Sequence, residues 1–302
     1  MNTILEINHL SKKYKDINAV DDLSFSVNSG DVYGFLGQNG AGKSTTIRMM
    51  LTLIEPTSGE IKIFGKSLHE NRHEILSKIG AVIERPDLYK YLTAYENLKL
   101  FAKMSNINVT HKLLMDQLDM VGLADRSESK VKTYSQGMKQ RLGIGIALVH
   151  NPDLIVLDEP TNGLDPQGIA DIRNLILKLS TEMGKTVVVS SHLLSEIELI
   201  ANRMIVIHKG KKVVEGFVKD LLDPSKTLVE IETSNNEMAT SILKNSAFAQ
   251  MVVDNNEKLH LTINKSEISA LIKFMVESNV QIIAVTPRHS LEDYFLSLTK
   301  TA

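Results

Sequence analysis

The chain of 302 residues has no cysteine. That removes disulfides, thiolate zinc sites and cysteine nucleophiles together, and suits a reducing compartment. Neither sign of charge is in surplus: 34 Lys and Arg stand against 36 Asp and Glu, a formal net charge of −2. No basic field is therefore available to wrap a nucleic acid. No apolar run nears the roughly 18 residues that a bilayer crossing needs, and the opening MNTILEINHLSKKYK lacks the basic, apolar and small-residue order of a signal peptide. The chain is expected in the cytoplasm, and any work at a membrane is expected to need a partner. Apolar residues make up an ordinary 43%, enough for buried cores, and the length suits about two domains.

Residues 3–35 alternate as short strands and lead into the apolar run Val32–Leu36, which ends in glycines. A helical stretch is predicted over Lys43–Leu53, then a turn at Glu55–Gly59, a strand over Glu60–Phe64 and, after a polar interval, a strand over Ile79–Ile83. Residues 88–150 read as helical, with Thr93 and Glu96 spaced as a capping box. From Leu154 onward strand and helix alternate again, one helix opening with Asp165 as N-cap and Pro166 at its first position. Such alternation predicts a parallel α/β sheet with its site at the carboxyl ends of the strands. Beyond Asp223-Pro224-Ser225 the order becomes βαββαβ, a small split-βαβ module of ferredoxin-like type, followed by a last helix capped by Ser290 with Asp293.

Gly37-Gln38-Asn39-Gly40-Ala41-Gly42-Lys43-Ser44, followed by Thr45, fits G-x-x-x-x-G-K-[ST] and lies between an apolar strand and a helix. Glycines let backbone N–H groups converge on phosphate oxygens, and the helix start adds partial positive charge. Lys43 is expected on the terminal phosphates and Ser44 on Mg²⁺. A second apolar strand, Leu154–Leu157, ends in Asp158 and Glu159, so the sheet would deliver both carboxylates to the same mouth. Asp158 is placed to hold Mg²⁺, and Glu159 to orient the water that attacks the γ-phosphate. A plain acid pair capping a helix is the bland alternative, and the phosphate loop weighs against it.

Tyr134-Ser135-Gln136-Gly137-Met138-Lys139-Gln140-Arg141 resembles the signature motif of ABC transporter ATPase domains. With the phosphate loop and the acid pair, the resemblance covers about residues 3–220. It implies a P-loop NTPase fold of ABC ATPase type over residues 1–222, with a helical subdomain at about 88–150, and a separate accessory α+β domain over 226–302. Gly163-Leu164-Asp165 looks like the family's D-loop, His192 like its switch histidine, and Tyr14 like the aromatic that stacks on adenine. The resemblance further implies MgATP hydrolysis in a head-to-tail dimer, where Ser135, Gln136 and Gly137 of one chain meet the γ-phosphate held by Lys43 of the other. Without the family, Ser135 reads simply as an N-cap. The implied partners are separately encoded transmembrane permease subunits and a second ATPase subunit, most simply a homodimer. The implied place is the inner face of the membrane, with no nucleic acid involved.

Where the family has a glutamine near Mg²⁺, this chain has Glu84, a substitution similar to that of bacitracin and lantibiotic peptide exporters. The ending Ser290-Leu291-Glu292-Asp293-Tyr294-Phe295 also resembles that branch, so export of a peptide antibiotic or other amphiphile is implied. A soluble ABC ATPase acting on ribosomes or nucleic acid would usually carry two phosphate loops or a long coiled-coil insertion, and neither is present. A regulatory module that binds ATP without hydrolysing it is disfavoured by Glu159. His69-Glu70-Asn71-Arg72-His73 fits H-E-x-x-H, but no third ligand is evident, and it reads as the solvated edge of a helix.

Overall fold

The computed structural model describes residues 2–221, 227–253 and 259–289. Two compact units divide the chain, Met1–Phe217 and Val218–Ala302.

In the first unit, β1 (Thr3–Tyr14) and β2 (Ile17–Asn28) form an antiparallel ribbon. Leu5, Ile7, Leu10, Leu23, Phe25 and Val27 turn inward from it. After β3 (Val32–Leu36) come α1 (Lys43–Met50), β4 (Ser58–Ile63), β5 (Lys66–Ser67), α2 (Arg72–Leu76) and β6 (Ile79–Val82). The small sheet runs β2-β1-β4-β5. Three helices follow: α3 (Ala94–Met104), α4 (His111–Met120) and α5 (Gln136–Leu148). Each starts on a side-chain cap, namely the Thr93–Glu96 capping box, Thr110 and Ser135, which satisfies donors that a helix start leaves open. Then come β7 (Leu154–Leu157), α6 (Pro166–Thr181), β8 (Thr186–Ser191), α7 (Leu194–Glu198), β9 (Arg203–His208) and β10 (Lys211–Phe217).

The larger sheet runs β10-β9-β3-β8-β7-β6, parallel from β9 through β6 with β10 antiparallel at the edge. β3, β7 and β8 are buried at every residue, as strands covered on both faces must be. The two sheets share one core. Phe25 of β2 stacks on Tyr33 of β3 at 5.6 Å between ring centroids and tilts against Phe35 at 5.4 Å, while Ile47, Met49 and Met50 of α1 pack beneath.

Glycines seat α5 on its neighbours. A Cβ at Gly80 of β6 would run into the Ala147 carbonyl, and one at Gly143 would run into the Pro86 ring. Backbone therefore meets backbone or ring there, with no side chain between.

Two local readings change. α1 stops at Met50 instead of Leu53, because Thr52 takes a left-handed φ of 56° and the Leu53 N–H turns back to the Arg48 carbonyl. His69 and Glu70 sit in a turn ahead of α2, with the Asn71 side chain bonded to the Ser67 carbonyl. They share no helix face with His73, so the helical reading of H-E-x-x-H is corrected. Among the described residues no cluster of three or more His, Cys, Asp or Glu could hold a metal ion, and no helix is long and apolar enough to cross a membrane.

The second unit has α8 (Val218–Leu221), β11 (Thr227–Thr233), α9 (Asn236–Lys244), β12 (Val252–Val253), β13 (Leu259–Ile263), α10 (Ile268–Glu277) and β14 (Ile282–His289). Its sheet runs β12-β13-β11-β14 with antiparallel neighbours, around a core of Val229, Ile231, Leu243, Leu261, Leu271 and Met275. The helix predicted from Ser290 and Asp293, and the Ser290–Phe295 ending, lie outside the described residues, as do Asp223, Pro224 and Ser225.

Gly80→Ala is expected to cost about 1–3 kcal/mol by overpacking α5 against β6. Urea unfolding should show a lower midpoint at an unchanged m-value; an unshifted midpoint would mean that the contact is looser than described.

Candidate active site

β3 carries its apolar run up to Leu36, and the chain then crosses the end of β9. Any Cβ on Gly37 would lie 2.8 Å from the Ile207 carbonyl oxygen, so only glycine fits the crossing. Gly42 is left-handed at φ 108°, and a Cβ there would lie 2.5 Å from the Ala19 carbonyl oxygen. The loop is tied by Ala41 N–H to the Gln38 carbonyl and by Gly210 N–H to the Ala41 carbonyl. It ends on α1, whose N-cap Gly42 offers no side-chain cap. The first N–H groups of a helix have no partner within it, so this uncapped start of α1 suits an anion. Gln38 is half-buried, Asn39 and Gly40 are exposed, and Ser44 and Thr45 are half-buried on the first turn.

Lys43 is buried. Its ammonium donates to the Gly37 carbonyl at 2.5 Å and the Gln38 carbonyl at 3.3 Å and lies 3.1 Å from Glu159 Oε1. The last contact is an ion pair without hydrogen-bond alignment. Glu159 Oε2 sits 2.8 Å from His192 Nδ1. Glu159 itself holds a left-handed φ of 49°, an uncommon conformation for a side-chain-bearing residue and one met at functional sites. One chain of contacts thus links the ends of β3, β7 and β8.

Asp158 is 1% exposed. Its Oδ1 accepts the Ser190 hydroxyl at 2.6 Å, whereas Oδ2 is buried with no hydrogen-bond partner. A buried carboxylate oxygen left unpaired is costly. A hard cation or a water on it would relieve that cost, and Ser44 offers a half-buried hydroxyl on the first turn of α1, so the residue types fit Mg²⁺, which takes few protein ligands.

The other sequence candidates have these places. Tyr14 ends β1, 45% exposed, with Lys12 Nζ 5.1 Å above its ring centroid. Asp165 caps α6 by accepting from Gly168 N–H at 2.9 Å. Ser135 caps α5 through Met138 N–H. Just before it, Tyr134 donates its hydroxyl to the Arg126 carbonyl, and burial raises the phenol above its ordinary pKa while Arg126 pulls it back. Among the described residues no hydrogen bond or ion pair joins Ser135, Gln136 or Gly137 to the phosphate loop. Glu84, at a left-handed φ of 54°, lies exposed against Arg48 Nη2 at 2.5 Å.

Sequence reasoning missed Ser190, which also accepts the Glu159 N–H at 2.9 Å, and Arg48. The signal for Ser190 was a polar residue closing the otherwise apolar Val187–Val189 run. Arg48 lies four residues beyond Ser44, hence on the same face of α1.

A family model described as ABC transporter matches residues 20–162. The bacitracin transport ATP-binding protein BcrA of Bacillus licheniformis is 42% identical over 301 residues, 99% of this chain and 98% of that protein. The lantibiotic transport ATP-binding protein SrtF of Streptococcus pyogenes is 42% identical over 212 residues, 70% of this chain and 90% of that protein. Among solved structures, a dimeric ATP-binding cassette in a post-hydrolysis state with ADP and Pi matches at a TM-score of 0.65 and 29% identity, over 71% of this chain and 99% of that one.

Ser190→Ala would strip Asp158 Oδ1 and the Glu159 N–H of one shared partner. A loss of about 1–3 kcal/mol is expected from the desolvated groups left behind, with Ser190→Thr recovering most of it. Equilibrium denaturation of the three proteins checks the order.

Proposed function

The chain belongs to the ABC transporter family as an ATP-binding protein, and from that premise we propose that it powers export of a peptide antibiotic or similar amphiphile. The peptide class rests on the bacitracin and lantibiotic transport relatives and on Glu84. The working unit in this reading is two copies of the chain beneath separately encoded permease subunits, on the cytoplasmic face of the membrane. The observation that carries the reading is the Lys43–Glu159–His192 chain of contacts beside the unpaired Asp158 oxygen.

ATP phosphates are held by the backbone of Gly37 to Lys43 and by the side chains of Ser44 and Thr45, with adenine on Tyr14. Ser44, Asp158 and Glu84 would hold Mg²⁺, which when bound neutralises charge on the phosphate oxygens. A γ-phosphate in the loop competes with Glu159 for the Lys43 ammonium. Glu159, so released, accepts a proton from the attacking water as its oxygen bonds to the γ-phosphorus and the bond to ADP breaks. His192 orients Glu159 and donates toward the γ-phosphate. Ser135, Gln136 and Gly137 of the second copy close the site by the same helix-start chemistry as α1, and Asp165 stands in the loop between copies.

The order β12-β13-β11-β14 supports reading the second unit as a ferredoxin-like accessory domain.

Glu159→Gln is expected to bind ATP, lose about a hundredfold or more in hydrolysis, and elute with ATP as a dimer on sizing. A variant that hydrolyses at the normal rate would remove the proton-accepting role. Glu84→Gln should keep ATP binding and change turnover only in the assembled transporter; unchanged ATPase and resistance together would remove Glu84 from the coupling.

A further inference from the structure

Five residues beyond Ser191, on α7, stands a half-buried carboxylate that the scheme above does not use. Glu196 Oε2 accepts the Thr161 hydroxyl at 2.8 Å and the Ser191 hydroxyl at 2.7 Å. Ser191 Oγ in turn accepts the Leu193 N–H at 3.0 Å, so its own hydrogen is committed to Glu196. Two hydroxyls on one carboxylate oxygen are charge-assisted bonds, shorter and stronger than neutral ones. Glu196 also lines a cavity of about 270 Å³ together with Ile169, Ile176 and Ile200.

The two donors are not arbitrary. Thr161 lies two residues past Glu159 and opens the segment that ends at Asp165, and Ser191 immediately precedes His192. The serine before it, Ser190, bonds Asp158 Oδ1 and the Glu159 N–H. The strand end therefore grips the acid pair with one hydroxyl and Glu196 with the next. His192 is held to Glu159 by a single contact, and its side chain is 36% exposed, so its placement depends on the backbone on either side. A surface acid capping a short helix would explain neither a shared oxygen nor donors drawn from both flanks of the Glu159–His192 contact.

We propose that Glu196 is a positioning residue that sets the Glu159–His192 contact and couples it to the Thr161–Asp165 segment. This rests on the roles proposed above for Glu159 and His192. Movement of that segment pulls on Thr161, and through the shared oxygen it reaches Ser191 and the imidazole next to it.

The test uses the full chain with its permease. Glu196→Ala is expected to lower kcat for ATP by about tenfold or more while KM stays within about twofold, and Glu196→Gln, whose amide oxygen still accepts hydroxyls, to recover most of the loss. In a His192→Ala background, Glu196→Ala should add nothing. Nitrogen resonances of the His192 ring should move in Glu196→Ala and return in Glu196→Gln. Equal losses with and without His192, or ring resonances that stay put, would overturn the proposal. If His192→Ala itself hydrolyses at full rate, the role given to His192 falls instead, and the ring resonances still decide whether Glu196 positions it.

Discussion

Parallel pairing of β3 with β8, and of β8 with β7, is the constraint from which the site follows. Leu36 pairs with Ser191, and Leu157 with Val189, so three strands end along one edge. Each then turns into the residues that matter: the glycine loop, the acid pair and His192. Because every residue of these strands is buried, a slip of register would move apolar side chains out of a two-sided core. The alignment of the functional groups is thus held by hydrophobic packing rather than by their mutual attraction.

That mutual attraction has its own balance. Lys43, Asp158 and Glu159 are charged groups drawn into the sheet's mouth, where desolvation works against them. Lys43 is offset by two loop carbonyls and by Glu159, and Asp158 by Ser190 on one oxygen only. The arrangement stays incompletely satisfied on the side where Asp158 Oδ2 lies. A cation or a water on that oxygen would complete the set of partners.

Much of this was legible because the signals are local. The glycine spacing, the caps at Thr93, Ser135 and Asp165, and the apolar runs ahead of Gly37 and Asp158 all depend on near neighbours in sequence. What escaped were pairings across the fold. Ser190 reaches Asp158 over a separation of 32 residues, and Arg48 reaches Glu84 over 36. Periodicity carries no information about such partners. The H-E-x-x-H segment misled for a different reason: its spacing presumes a helix, whereas His69 and Glu70 lie in a turn ahead of α2.

The bare contact between Gly143 of α5 and Pro86 has a mechanical meaning. Pro86 is two residues past Glu84, and α5 begins at the Ser135 cap. A long side chain would act as a cushion, bending through its rotamers before passing on any load. A prolyl ring against a glycine has no such rotamers, so the turn and the helix meet there without a flexible side chain between them.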